Sequence, residues 1–191
     1  MSNTLKAVLI IIGILVAIVF VFGMFFINGI NKVVTLDEGV KSAWAQVENV
    51  LQRRADLIPN YVETVKGYAK HEKDVFVKVT QARSQVSKAG SVSEKISANN
   101  QLSSALSRLL VVVERYPELK ANTNFIRLQD ELAGTENRIA VERKRYNETV
   151  RRFNSHIRRI PGKFFAALQG LTSAPYFEIK EEAKEVPKVS F

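Results

Sequence analysis

The residues best placed to do chemistry are charged side chains written into apolar helical seams. Trp44, Val47, Leu51, Ile58, Val62 and Val65 recur at the three- and four-residue spacing of one helix face, and Arg54 falls seven residues after Val47, on the same stripe. A second stripe, Phe125, Leu132, Ile139, Tyr146, Phe153 and Ile160, repeats every seven residues, with Leu128, Val150 and Ile157 filling its adjoining seam. In that seam the positions after Leu128 become Thr135, Glu142 and Thr149, flanked by Glu136, Asn137 and Arg143. A buried guanidinium without a partner costs several kcal/mol, so Arg54 is predicted to pair with a carboxylate of the later helix, Glu136 first and Glu142 second. The seam of Arg54, Glu136, Asn137 and Glu142 has two readings. It fixes helix register or marks a wet edge of the core, or it is a binding or switching site.

Signatures of catalysis are missing from the sequence. There is no cysteine, no glycine-rich phosphate loop and no Gly-x-Ser-x-Gly, and His71-Glu72 is succeeded by Val75 where a zinc-binding helix needs its second histidine. His156 stands alone near the heptad seam and reads as packing, while Glu181-Glu182 lie in a charged tail with no predicted cleft. Asn147-Glu148-Thr149 matches a glycosylation sequon but sits mid-helix, a chance match. The chain is therefore expected not to be an enzyme, with no catalytic, cofactor-binding or metal-ligating residues and no small-molecule substrate.

Charge points to a surface. Lys and Arg number 28 against 19 Asp and Glu, a net charge of +9, with clusters at Arg53-Arg54, Arg143-Lys144-Arg145, Arg151-Arg152 and Arg158-Arg159. Nucleic acid would need such cations together with a reading element, and neither a helix-turn-helix, a zinc finger nor an aromatic stacking platform accompanies them. An anionic lipid surface needs only the cations.

The elements that position these residues begin with an anchor. From Ala7 to Ile27 no side chain is charged, which as a helix spans about 31 Å, the thickness of a hydrocarbon core. A cleaved secretory signal has a shorter apolar stretch and an Ala-x-Ala-like site; Met24-Phe25-Phe26-Ile27-Asn28 offers none, so a retained transmembrane helix is expected. The basic surplus C-terminal to it favours a cytoplasmic location for the rest of the chain, at a bacterial inner membrane, and the lack of cysteine fits a reducing compartment.

Beyond the anchor only the helix period is present. A first helix continues from the anchor to about Gly67, with Pro59 expected to bend it or interrupt its hydrogen-bond ladder. A second carries Val75, Phe76, Val79 and Val86 and ends near Gly90; a third starts at a Ser91/Glu94 capping box and reaches Tyr116, before Pro117. The fourth runs from Asn122 to Ile160, where Pro161-Gly162 ends it. Short connections predict an all-α fold: an N-terminal transmembrane helix (1–29) leading into an elongated antiparallel four-helix bundle (30–177) and a charged tail (178–191). In the tail, 178–185 is expected as a short helix and 187–191 as an extended end suited to docking on a neighbour. An even number of antiparallel helices returns the end of the fourth to the membrane, placing Arg158, Arg159, Lys163, Phe164 and Phe165 near lipid headgroups, with Leu168 and Leu171 after them. The alternative is that the same apolar residues close the base of the bundle.

Trp44-Ala45-Gln46-Val47-Glu48, the stretch from Arg53 to Asn60, Tyr116-Pro117-Glu118-Leu119-Lys120-Ala121-Asn122, Glu136 to Val141 with Tyr146-Asn147, and the closing Pro187-x-Val-x-Phe closely resemble the LemA family of bacterial membrane proteins. The resemblance implies one N-terminal transmembrane helix and a four-helix-bundle domain, in a family some of whose members are associated with shaping intracellular membranes. The combined expectation is a membrane-anchored scaffold that self-associates as a homo-oligomer and organises the bilayer. The alternative is a tethered accessory or sensor module for another envelope or signalling protein.

Overall fold

The computed structural model describes residues 3–178, with side chains from residue 9 onward. The tail expected at 178–191 lies outside the described residues except for Glu178. All regular structure among the described residues is helical: α1 (Asn3–Tyr68), α2 (Lys73–Lys88), α3 (Val92–Val113), α4 (Pro117–Lys120), α5 (Thr123–Ile157) and α6 (Gly162–Leu168). The apolar run and the first amphipathic stripe form one helix, α1, of 66 residues. Among the described residues α1 alone is long and apolar enough to cross a membrane; its apolar window has mean hydropathy 3.2, and none of it is buried. Val19, Phe20 and Phe22 are 71%, 66% and 68% exposed, a surface that water does not tolerate and lipid does.

Pro59 sits inside α1 without ending it. Having no N–H, it cannot bond the carbonyl of Ala55 four residues earlier, and Ala55 is fully buried. The missing donor comes from α2: Arg83 Nε–H donates to the Ala55 carbonyl at 2.9 Å. The helix is thus repaired from outside. Other ends obey local chemistry. Ser91 Oγ accepts from the Glu94 N–H at 3.2 Å, and Glu94 Oε2 accepts from the Gly90 and Ser91 N–H groups at 2.9 and 3.1 Å, a complete capping box for α3. Those backbone donors hold the Glu94 carboxyl below its ordinary range. Asn122 Oδ1 caps α5 by accepting from the Phe125 N–H at 3.0 Å.

Two expected boundaries shift. α3 stops at Val113 instead of Tyr116, and Pro117 opens a separate one-turn helix, α4, where its missing N–H is not needed. α5 stops at Ile157, so Ile160, predicted as the last heptad position, stands in the turn beyond the helix and is 91% exposed.

The described chain forms two compact units, one of residues 3–41 with 149–174 and one of 42–148 with 175–178. In the first, Val33 and Val40 of α1, Val150, Phe153 and Ile157 of α5, and Phe165 and Ala166 of α6 are buried. In the second, one core draws Ile58, Tyr61, Val62 and Val65 from α1, Phe76 and Val79 from α2, Leu102 to Val113 from α3, Leu119 from α4 and Phe125 from α5. At its other end Trp44 packs edge-on against Tyr146 at 5.3 Å and lies 6.5 Å from Phe177.

Candidate functional site

In the second unit, α1 carries Arg54 into the interior, where the side chain is 5% exposed. Its Nη1 lies 2.9 Å from Glu136 Oε2 on α5 and donates to Asn99 Oδ1 on α3 at 3.3 Å; Nη2 donates to Ser103 Oγ at 2.9 Å. One guanidinium therefore joins three helices. Burial pulls the Arg54 pKa down, and Glu136 opposes that shift. Of the four residues predicted for the seam, the structure brings together Arg54 and Glu136. Glu142 pairs with Arg145 on its own helix at 2.8 Å, and Asn137 is exposed. Asn99, buried in α3, is a member that the sequence reading misses, although its spacing from Ile96, Leu102 and Leu106 marks a polar residue on an apolar stripe.

A cleft of about 1070 Å³ opens around this cluster, walled by α1, α2, α3 and α5. Its lining mixes apolar side chains, among them Leu106, Leu110, Leu132 and Ile139, with amides and hydroxyls such as Gln85, Asn100, Ser104 and Ser107, and holds four cations, Arg54, Lys78, Arg108 and Arg143, against one anion, Glu136. Tyr61 also lines it; the residue is 1% exposed, and its hydroxyl has no partner among the described residues. Burial pushes that phenol up to about 12.

In the first unit, α6 lies on α1 at the end of the apolar run. Phe165 is buried against Phe26 at 5.5 Å and Phe25 at 6.0 Å, and its ring occupies the space a side chain at Gly29 would fill. Gly162 allows another close approach, because a Cβ there would collide with the His156 carbonyl oxygen. Phe164 turns outward, 57% exposed, with Ile160 and Leu168 at 91% and 52%. Arg158, Arg159 and Lys163 are exposed beside them. The predicted membrane-surface residues thus divide: Phe165 is buried against α1, Phe164 is exposed while its ring edges onto Phe26 at 6.3 Å, and Arg158, Arg159 and Lys163 face out. His156 is half-buried beside Gly162. Among the described residues no group of three metal-ligating side chains occurs.

Residues 43–191 match the LemA family. The chain belongs to the LemA family. It is similar to the magnetosome proteins MamQ 1 and MamQ 2 of Paramagnetospirillum magneticum, each 27% identical over 176 residues, covering 78% of this chain and 65% of the relative. Protein LemA of Metamycoplasma hominis is 24% identical over 138 residues, covering 72% of this chain and 63% of its own. The chain therefore spans just under two thirds of the length of the curated relatives it matches. The region matching the family takes in the Arg54 cluster, the cleft and α6, and the apolar run precedes it. Family and apolar helix together describe a membrane-associated helical protein, and neither family name states a reaction.

Proposed function

We propose that the chain is a membrane-anchored, non-enzymatic scaffold that self-associates as a homo-oligomer and organises or shapes the bilayer. The observation that carries this reading is the seat of α6. It packs on Phe25, Phe26 and Gly29, where the apolar run of α1 gives way to polar sequence, the level at which a spanning helix leaves the hydrocarbon. Exposed Ile160, Phe164 and Leu168 beside Arg158, Arg159 and Lys163 suit the boundary between acyl chains and anionic headgroups, at about 1 kcal/mol for each basic residue near the surface. The basic surplus favours the cytoplasmic face of a bacterial inner membrane. MamQ relatives named as magnetosome proteins are consistent with a role at membranes. Light scattering of the full chain in mild detergent tests self-association: a defined homo-oligomer is expected, and a monomer refutes it.

The Arg54 cleft favours a second reading, an accessory or sensor module for another envelope or signalling protein. A monomer that retains a specific partner in a pull-down, and releases it when Asn99 and Ser103 are replaced by alanine, would support that reading over the first.

A further inference from the structure

In the second unit the chain shows how its helices hold extended backbone. Asn147 on α5 clamps Phe177, Oδ1 accepting from the Phe177 N–H at 2.8 Å and Nδ2 donating to its carbonyl at 3.0 Å. Asn100 Nδ2 on α3 donates to the carbonyl of the next residue, Glu178, at 3.1 Å. A side-chain amide offers both a donor and an acceptor, as a backbone peptide does, so it binds extended chain without reading its sequence. These contacts also orient the cleft. Asn100 and Asn147 hold neighbouring residues at one end, while Ser103 and Glu136 meet on Arg54 further in, so α3 and α5 run antiparallel along its walls.

We propose that the cleft binds an extended acidic segment of a partner protein. This rests on the accessory-module reading and names the part of the partner that is held. Charge sets the chemistry. Glu136 matches Arg54, whereas Lys78, Arg108 and Arg143 line the cleft and make no ion pair among the described residues, the pattern of cations that recognises acidic motifs. Arg143 lies one heptad from Glu136 toward Asn147, and Arg108 lies five residues beyond Ser103 toward the other end, so the two stand about 18 Å apart along the walls. Five extended residues cover about 17 Å. Side chains five apart in an extended chain point to opposite sides, and the two arginines stand on opposite walls, so carboxylates at positions i and i+5 of the segment meet both.

The rest of the lining suits what lies between. Leu106, Leu110, Leu132 and Ile139 give apolar contact to the intervening side chains, and Ser104 and Gln129 give hydrogen bonds to the backbone. Tyr61, one heptad beyond Arg54 on α1, brings a buried hydroxyl that has no partner among the described residues and that a backbone carbonyl in the cleft would satisfy.

Fluorescence anisotropy with the full chain in mild detergent tests this on two fluorescein-labelled hexapeptides of one composition, Glu-Leu-Ser-Leu-Ser-Glu and Leu-Ser-Glu-Glu-Leu-Ser. The first should bind about tenfold more tightly, and should weaken as salt rises. Arg108→Glu and Arg143→Glu should each weaken it about tenfold, while Lys144→Glu, an equal charge change at an exposed site outside the cleft, should leave it within about twofold. Equal affinity for the two peptides, equal losses in all three variants, or no binding at low salt would overturn the proposal. Binding that appears only when the chain is cut after Glu178 would assign the cleft to the chain's own continuation and overturn it too. A protein partner retained by the full chain and released by Asn99→Ala with Ser103→Ala, with neither peptide bound, would keep the accessory-module reading and remove this one.

Discussion

Arg83→Met should destabilise the chain, and Pro59→Ala should remove most of that effect. Pro59 leaves the Ala55 carbonyl without its helical donor, in a residue with no exposed surface, and Arg83 Nε supplies the bond at 2.9 Å. A hydrogen bond from a charged donor contributes about 1.5–3 kcal/mol, and a buried carbonyl left unsatisfied costs a similar amount. Methionine keeps the length of the arginine stem, so the loss reports the bond more than the packing. For a chain of this size about 2 kcal/mol corresponds to roughly 4–8 °C in the unfolding midpoint. With alanine at position 59 the backbone N–H reaches Ala55, Arg83 becomes redundant, and the cost of Arg83→Met should fall below about 0.5 kcal/mol. Four variants of the full chain in one detergent, monitored by far-ultraviolet circular dichroism, complete the cycle. Additive effects of the two substitutions would refute the reasoning, since they would mean that Arg83 does not replace the bond that proline removes.

Gly29→Ala puts a methyl group into the space of the Phe165 ring, in collision with three of its atoms. An overpacking cost of about 1–3 kcal/mol should outweigh a helix-propensity gain of about 1. Hydrogen exchange of α6 amides should accelerate as a result, and the acceleration should vanish in a Phe165→Ala background. Arg54→Met should hold stability within about 1 kcal/mol because an apolar isostere replaces a buried charge, whereas Arg54→Ala should cost about 3 kcal/mol by thermal unfolding. Tyr61 and Tyr146 both have phenols pushed from 10.0 up to about 12 by burial. Below pH 10 both states are protonated and the contribution is complete; from pH 10 to about 12 the unfolded chain ionises first, so stability should fall. The loss should reach about 2–3 kcal/mol per tyrosine, and Tyr→Phe at each site should flatten the curve measured by urea unfolding at pH 9 and 12.

The sequence is most legible where one local rule decides the outcome. The Ser91/Glu94 box, the apolar stripe through Phe125, Ile139, Tyr146 and Phe153, and Arg54 as a charge inside a stripe are each visible within a few turns of helix. The hidden features depend on partners distant in sequence. Nothing near Pro59 announces Arg83, and nothing near Asn147 announces that its amide will clamp Phe177, because a clamp of backbone by side chain leaves no periodic trace. Glu142, the second candidate on spacing to meet Arg54, is taken locally by Arg145, which lies one turn away. Phe164 and Phe165 are adjacent in sequence and both reach Phe26, but only Phe165 is buried, its ring seated in the space left by Gly29.

The role assigned to the membrane rests on α6 sitting at the lipid boundary, and depth measurement tests it directly. Spin labels placed one at a time at Arg158, Lys163, Phe164 and Leu168 of the full chain, in bilayers containing anionic lipid, report collision with oxygen against collision with a water-soluble nickel complex. Labels at Phe164 and Leu168 should favour oxygen, as groups below the headgroups do, while those at Arg158 and Lys163 should favour nickel. Nickel dominance at all four positions would place α6 in water and contradict the account.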